Sequence, residues 1–185
     1  MKKGYFFVLD AMLGLIILVV GVFLISTSYI NTPQPTQVGL LSDDIMNFLS
    51  NVKIKNLNNP YAGIGGELWK SGEITEQDNS LLQQIGEFYE KYRVSSDNDV
   101  RNKYLNLTEK FIVNVSQGSV PSQFRYEIWI NSFMLYPKAP SSEHIFSRDT
   151  TKLLLTSKKI AFGIISRDTG DIWGPYKAEV FVWEK

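Results

Sequence analysis

The sequence predicts an α+β protein in which an N-terminal transmembrane helix is followed by amphipathic helices packed on an antiparallel β-meander. An uncharged, apolar run occupies residues 11–30. Apolar residues then recur every three or four positions through the middle of the chain, which is the spacing of a helix face. In the last third they alternate with polar residues, as in half-exposed strands. The chain has 185 residues, enough for one globular domain with an appendage.

Composition excludes several classes of function. The 19 basic and 19 acidic residues give a formal net charge of zero, so we expect no nucleic-acid partner. Without cysteine and with a single histidine, the chain has no disulfides, thiolate zinc sites or paired-imidazole sites. That histidine, His144, follows the Pro- and Ser-rich letters PKAPSSE, which predict a solvated turn. We therefore expect no enzyme, and no catalytic residue, metal or cofactor.

The first element is the predicted transmembrane helix, residues 5–30. The run from Ala11 to Ile30 is free of charge and, at 1.5 Å per residue, spans about 30 Å, the thickness of a hydrocarbon core. Its length and polar end argue against a cleaved secretory signal. Lys2 and Lys3 precede the helix, so we expect a cytoplasmic N-terminus and an extracellular head in a single-pass cell-membrane protein. A buried core helix is the alternative.

Asp10 interrupts the apolar stretch close to its start. A carboxylate within a bilayer costs about 2.5 to 3.5 kcal/mol at the centre and less toward an interface, so a compensating contact is expected. One interpretation places Asp10 within reach of headgroup water or of the neighbouring lysines. The other pairs it with a positive group from another copy of the protein, which would make it an assembly contact.

The first ten residues carry a family resemblance. A basic leader, Lys2 and Lys3, ends at Gly4 and is followed by Tyr5 and an apolar helix with one early acid, Asp10. This pattern resembles the class III signal of type IV pilins, and the aspartate at this spacing is most similar to the looser archaeal type. The resemblance implies that a prepilin-type leader peptidase recognises residues 2–5 and cuts after Gly4. The cut would free an α-amine on Tyr5 that neutralises Asp10 of an adjacent subunit.

The next elements are a linker and three helices. Pro33 and Pro35 should end the first helix near Asn31, so residues 1–4 form the leader, 31–37 a linker and 38–185 the head. The apolar spacing predicts helices over residues 38–55, from about Thr75 and Asp78 to residue 92, and over 100–111. An N-cap of the last helix is expected within residues 97–99, with the start of a calcium loop as the alternative. The letters NLNNPYAGIGG, residues 56–66, predict a loop without the lysine of a phosphate-binding loop.

The last third of the chain should supply the strands. Alternation predicts strands over residues 124–130, 153–155, 160–165 and 178–183. Residues 168–170 and the pair Gly174 and Pro175 are expected to be tight turns. Short strands joined by turns predict the meander, with the helices against one face.

Two triplets are candidate N-glycosylation sites, Asn106-Leu107-Thr108 and Asn114-Val115-Ser116. The predicted topology puts Asn106 and Asn114 outside the cell. The large aromatics Trp129, Trp173 and Trp183 are expected to be buried in a β-rich domain, with sugar binding or subunit contact as the alternative.

Together these observations predict a type IV pilin-like subunit that contributes to a cell-surface filament used in adhesion, motility or secretion. Its expected partners are the membrane, the leader peptidase, other pilin-like subunits and an assembly platform. The alternative is a non-polymerising single-pass membrane protein with an extracellular binding domain. In that case Asp10 contacts the membrane boundary and the leader is not removed.

Overall fold

The computed structural model describes residues 12–22, 37–151, 153–166 and 170–185. The chain divides into two compact units, Met1–Thr36 and Gln37–Lys185, and we call the second unit the head. The predicted leader, residues 1–4, lies outside the described residues, as do most of the predicted transmembrane helix and all of the linker before Gln37.

In the first unit, residues 12–22 form a helix, α1. Its large apolar side chains are all exposed, from Met12 to Val22. Within the parts of the chain that the structure describes, no helix has both the length and the apolar character needed to cross a membrane.

The head is helical up to residue 116 and contains one further helix between its second and third strands. Their bounds are α2 Gln37–Asn51, a 3₁₀ turn Ile54–Asn56, α3 Glu67–Lys70, α4 Leu81–Val94, α5 Asn98–Ser116 and α6 Ser142–Thr150. The prediction of an N-cap within residues 97–99 is confirmed: Asp97 caps α5, and its carboxylate accepts from the Asp99 amide at 2.8 Å. The predicted start of the second helix near Thr75 and Asp78 is wrong, because Ser80 and Gln83 form a reciprocal capping box that begins α4 at Leu81.

The head has one four-stranded antiparallel sheet in the order β2-β1-β4-β3. The strands are β1 Phe124–Ile130, β2 Phe133–Tyr136, β3 Leu154–Ser166 and β4 Asp171–Glu184. The α+β class is confirmed, but the simple meander is wrong, because β4 lies between β1 and β3. Glu179 and Val180 are both buried although they point to opposite faces. A strand covered on both faces belongs in the middle of a sheet.

Two further predictions about the strands are wrong. Residues 154–155 and 160–165 belong to one strand, β3, because the polar residues between them keep the alternation of exposed and half-buried side chains. Gly174 and Pro175 lie within β4 and not at a turn between strands. There the peptide bond is cis, Gly174 has φ +90°, and the pairing with β3 changes register. The residue before Pro175 therefore forms an irregularity that only glycine tolerates easily.

The core lies between the helices and one face of the sheet, which we call the inner face. Ile128 and Ile130 of β1 and Val180 and Val182 of β4 point to this face and are buried. They form one cluster with buried apolar residues of α2, α4 and α5, among them Met46, Leu49, Ile85, Phe88, Phe111 and Ile112. The opposite face, which we call the outer face, carries Glu127, Trp129, Phe181 and Trp183 and is covered in part by α6.

Candidate functional site

The residues of the pilin resemblance are not in the described part of the chain. Lys2, Lys3, Gly4 and Tyr5, the predicted recognition sequence of the leader peptidase, and Asp10, the predicted assembly contact, all lie outside it. Leader cleavage and subunit pairing therefore stay predictions.

The two glycosylation triplets both lie on α5. Asn106 is exposed, and its Oδ1 accepts a hydrogen bond from Lys138 Nζ at 2.7 Å. Asn114 is half-buried, and its Nδ2 donates to the Lys110 carbonyl at 2.9 Å. Its own backbone carbonyl accepts from Asn59 Nδ2 at 3.1 Å. Exposure therefore favours Asn106 as the position that accommodates a glycan on the folded head, and glycosylation itself stays a prediction.

A cleft of about 590 Å³ lies between the β3–β4 hairpin and the start of α4. Before Ala178 in the chain, β4 pairs with β3 but not with β1, so residues 160–166 and 171–176 form a two-stranded arm. The arm contributes Phe162, Ile164 and Ile172 to the wall of the cleft, and all three side chains are exposed. The volume lies in the range of small-molecule sites, and the wall is mostly apolar.

Trp173 holds the arm against α4. Its side chain is buried, and the ring fits because Gly86 of α4 has no side chain: a Cβ there would lie 2.1 Å from the ring. On the β3 side, a Cβ on Gly163 would lie 2.8 Å from the indole nitrogen. Tyr176 stacks on Trp173 with ring centroids 5.7 Å apart. The position of the arm, and hence the cleft, depends on this packing.

The charges beside the cleft are balanced. Asp78 forms an ion pair with Lys55, whose Nζ lies 2.8 Å from the carboxylate, and a second with Lys53, whose Nζ lies at 3.5 Å. These lysines, Lys55 first, lower the pKa of Asp78 below its usual value. The cleft therefore offers apolar walls without a strong electrostatic preference, which suits an apolar group better than a charged one.

Two buried carboxylates of α4, Glu87 and Glu90, have opposite pKa shifts. Burial raises the pKa of Glu87, although Lys91 Nζ lies 2.7 Å from its Oε1 and opposes the shift. Hydrogen bonds from Arg93, at 2.9 Å, hold the pKa of Glu90 below its usual value. The Tyr176 hydroxyl also donates to Glu90 and so joins α4 to β4. Both carboxylates are more than nine-tenths buried and engaged, so their role is structural.

His144 lies within α6 and not in a solvated turn, so that prediction is wrong. Ser141 caps α6 by accepting from the His144 amide, which starts the helix two residues after Pro140. The His144 ring then lies 3.1 Å from Glu127 Oε1 through Nε2 and packs edge-to-face on Trp183, with centroids 4.9 Å apart. The Pro- and Ser-rich segment that predicted a turn therefore precedes and caps a helix, with Ser141 as the N-cap.

Glu127 is the centre of a polar cluster beneath α6. Its carboxylate is 1% exposed and also accepts from Trp129 Nε1 at 2.8 Å and Arg148 at 3.3 Å. Ser147 of α6 accepts from Trp183 Nε1 at 2.9 Å. Because these groups satisfy one another and the carboxylate is enclosed, the cluster fastens α6 to the sheet and offers no access to a substrate.

The predicted burial of the tryptophans can be compared directly with the head. Burial is confirmed for Trp173 and Trp183, whereas Trp129 is half-buried. Across the described residues, no group of three or more His, Cys, Asp or Glu side chains could hold a metal ion. Sequence analysis did not identify the cleft. The signal that could have indicated the arm is the alternation of Ile160, Phe162 and Ile164, which continues past the point where a buried strand would end.

Compared with known proteins, the chain matches no protein-family model, no curated protein and no solved structure.

Proposed function

We propose that the chain is a type IV pilin-like subunit, anchored by its first helix and contributing its extracellular head to a cell-surface filament. The sequence support is the basic leader ending at Gly4, the apolar run of residues 11–30 and the early acid Asp10. The structural support is coarser: an independent α+β head follows a separate N-terminal unit.

The observation that carries the proposal is the exposure of α1. Nine large apolar side chains between Met12 and Val22 are each more than half exposed. Such a surface is unfavourable in water, at about 25 cal/mol for each Å² left uncovered. Lipid in the monomer, and neighbouring helices in a filament, would both remove it from water.

In this proposal Asp10 makes the helix favour a neighbouring subunit over lipid as its partner. A carboxylate in lipid destabilises the inserted monomer, and a positive group brought by a neighbour relieves that cost. Cleavage after Gly4 supplies such a group as the new α-amine of Tyr5. Removal of Lys2 and Lys3 also leaves 17 basic residues, 19 minus 2, against 19 acidic ones.

The first test is mass spectrometry of the N-terminus of the protein isolated from its native membrane. A chain that begins at Tyr5 supports the proposal. An intact Met1 removes the free amine and contradicts the assembly mechanism, and cleavage beyond residue 30 contradicts the anchor as well.

The second test separates membrane insertion from assembly. Asp10→Ala should insert at least as well as the native chain but enter filaments roughly tenfold less, the equivalent of about 1.4 kcal/mol of lost pairing. Asp10→Glu is the matched control, because it keeps the charge and should assemble. Filaments that contain Asp10→Ala at the native level would contradict the pairing role.

The cleft favours the alternative, a non-polymerising membrane protein whose head binds a ligand. Its apolar wall and its volume of about 590 Å³ suit a small apolar group. Imaging of cells with a label on the head distinguishes the two functions. Labelled filaments support the pilin-like subunit, whereas label confined to the cell envelope supports the alternative.

A further inference from the structure

The inference concerns a hydrogen-bond donor in the cleft between the arm and the start of α4. Trp173 is one of the residues that line the cleft, and its side chain is 2% exposed. Its indole nitrogen, Nε1, is buried and donates to no acceptor in the described part of the head. On the outer face, Trp129 Nε1 and Trp183 Nε1 both donate to side-chain oxygens. Because a buried indole N–H usually has a partner, the unpaired donor of Trp173 needs an explanation.

The wall that the arm contributes to the cleft is apolar and uncovered. Phe162, Ile164 and Ile172 are 65%, 48% and 74% exposed. Gln83 of α4 also lines the cleft, and its Nε2 donates to the Phe162 carbonyl at 3.2 Å, which joins the arm to the helix. The volume of about 590 Å³ lies in the range of small organic ligands, and a ligand that covers the apolar wall gains free energy by doing so.

The charges of the cleft favour a neutral ligand. Glu76 and Asp78 line it, and its described lining residues include no basic side chain, so an anion would find no lining cation. Asp78 already forms ion pairs with Lys55 and Lys53, and a cationic ligand would have to displace them. The indole N–H adds the requirement for a hydrogen-bond acceptor on the ligand.

We propose that the cleft binds a neutral apolar molecule that carries a hydrogen-bond acceptor, such as a ketone or an ether, and that Trp173 Nε1 donates to this acceptor. The apolar part of the ligand lies against Phe162, Ile164 and Ile172. The nitrogen is enclosed in the structure, so the acceptor reaches it as the arm moves slightly away from α4. Binding then gives a partner to a buried donor that the protein itself leaves unpaired.

This inference specifies the ligand class for the binding head that was given above as the alternative function. It holds equally for a head carried in a filament, because the site uses residues of the head alone. The site requires neither leader cleavage nor Asp10. Its test and the tests of the filament function can therefore fail independently.

Benzophenone is the probe for the first test, because it is a neutral ketone whose carbonyl bonds covalently to nearby C–H groups under ultraviolet light. The full chain is labelled in membrane vesicles, and the modified residues are identified by mass spectrometry. Because binding holds the carbonyl at one place, labelling around Gly163 and Trp173 should exceed that of Phe146 roughly tenfold. Phe146 is the control, since it is 69% exposed on α6 and does not line the cleft.

Two variants of the arm provide a matched comparison. Ile172→Gln removes apolar surface from the wall of the cleft and should lower the labelling roughly fivefold. Ile160→Gln should leave it unchanged, because Ile160 is 62% exposed on the same arm but does not line the cleft. Equal labelling in the two variants, or labelling around Trp173 no stronger than at Phe146, would overturn the proposal.

The role of the acceptor is tested without any substitution in the protein. Fluorenone and fluorene have the same three fused rings, and only fluorenone has a carbonyl. At equal free concentrations in water, fluorenone should compete with benzophenone roughly fivefold better, as expected for one net hydrogen bond. Labelling is measured relative to Phe146, which corrects for light absorbed by the competitor. Equal competition by the two compounds would contradict donation from Trp173 and overturn the assigned ligand class.

Discussion

The two faces of the sheet are covered by different kinds of contact. On the inner face, Ile128, Val180 and Val182 are buried by apolar side chains of the helices. On the outer face, α6 has no buried residue. It is fastened by a hydrogen bond between His144 and Glu127, by an ion pair between Arg148 and Glu127, and by a hydrogen bond from Trp183 to Ser147. The apolar residues Ile145 and Phe146 of α6 are exposed instead.

The difference indicates which parts of the head serve stability and which remain for partners. The free energy gained by apolar burial is roughly proportional to the buried area and requires close packing without cavities. A polar attachment depends instead on a few specific hydrogen-bonding atoms. The outer face leaves β3 and the arm uncovered, so it has the surface available for association. Four substitutions test this contrast.

Gly86→Ala should have the largest effect, about 3 kcal/mol of destabilisation, because the added Cβ overlaps the Trp173 ring. Without that overlap, alanine would stabilise the helix by about 1 kcal/mol. The sign of the change in unfolding free energy therefore shows whether the Trp173 ring packs on Gly86. Urea unfolding measures it. The double variant Gly86→Ala with Trp173→Leu should recover part of the loss. A single variant as stable as the native head would contradict the packing described for the arm.

Glu127→Gln should destabilise the attachment of α6 by about 2 kcal/mol, because a neutral amide no longer matches Arg148 and His144. Amide hydrogen exchange should accelerate in α6 and stay unchanged in α4. The control is Glu143→Gln, since the Glu143 side chain is 80% exposed and its pair with Arg125 should contribute little. Equal acceleration in both helices would show that the two faces are not independent.

Glu90→Gln should cost about 1.5 kcal/mol at pH 7, because it weakens the hydrogen bonds from Arg93 and Tyr176. The pKa of Glu90 is lowered in the folded head, so its stabilisation is present above the unfolded pKa of about 4.3 and is lost as the pH falls through the folded pKa. Unfolding free energies of the two proteins should therefore converge in acid. A constant difference down to pH 3 would contradict the assigned shift.

Glu87→Gln should have the smallest effect and the opposite pH dependence. Because burial raises the pKa of Glu87, the native head favours its protonated form, which is fully present below about pH 4.3. As the pH rises through the folded pKa, ionisation costs stability that glutamine does not lose. In acid, the unfolding free energy of the variant should equal that of the native head. At pH 7 it should be the same or higher, by at most about 1 kcal/mol. Greater stability of the native head at pH 7 would mean that Lys91 outweighs burial.

Local patterns predicted much of the fold but not its arrangement. The N-cap within residues 97–99 and strand β1 were predicted because both depend on neighbouring residues: a side chain near its own backbone, and alternation within seven positions. The order of the strands, the four-residue β2 and the path of β4 through Gly174 and Pro175 depend on contacts between distant segments. A single sequence contains no direct record of those contacts.

The candidate sites divide in the same way. The sequence by itself contains the apolar run of residues 11–30, preceded by Lys2, Lys3 and Asp10, and its length, charge and hydropathy predict a membrane-spanning helix without reference to the rest of the chain. It also fixed the absence of cysteine chemistry. Tertiary structure alone decided that His144 meets Glu127, that Trp173 lies on Gly86 and that β3 lies at the edge of the sheet. The physical reason is that exposure and partner choice are properties of the assembled sheet and helices, whereas membrane preference is a property of consecutive residues.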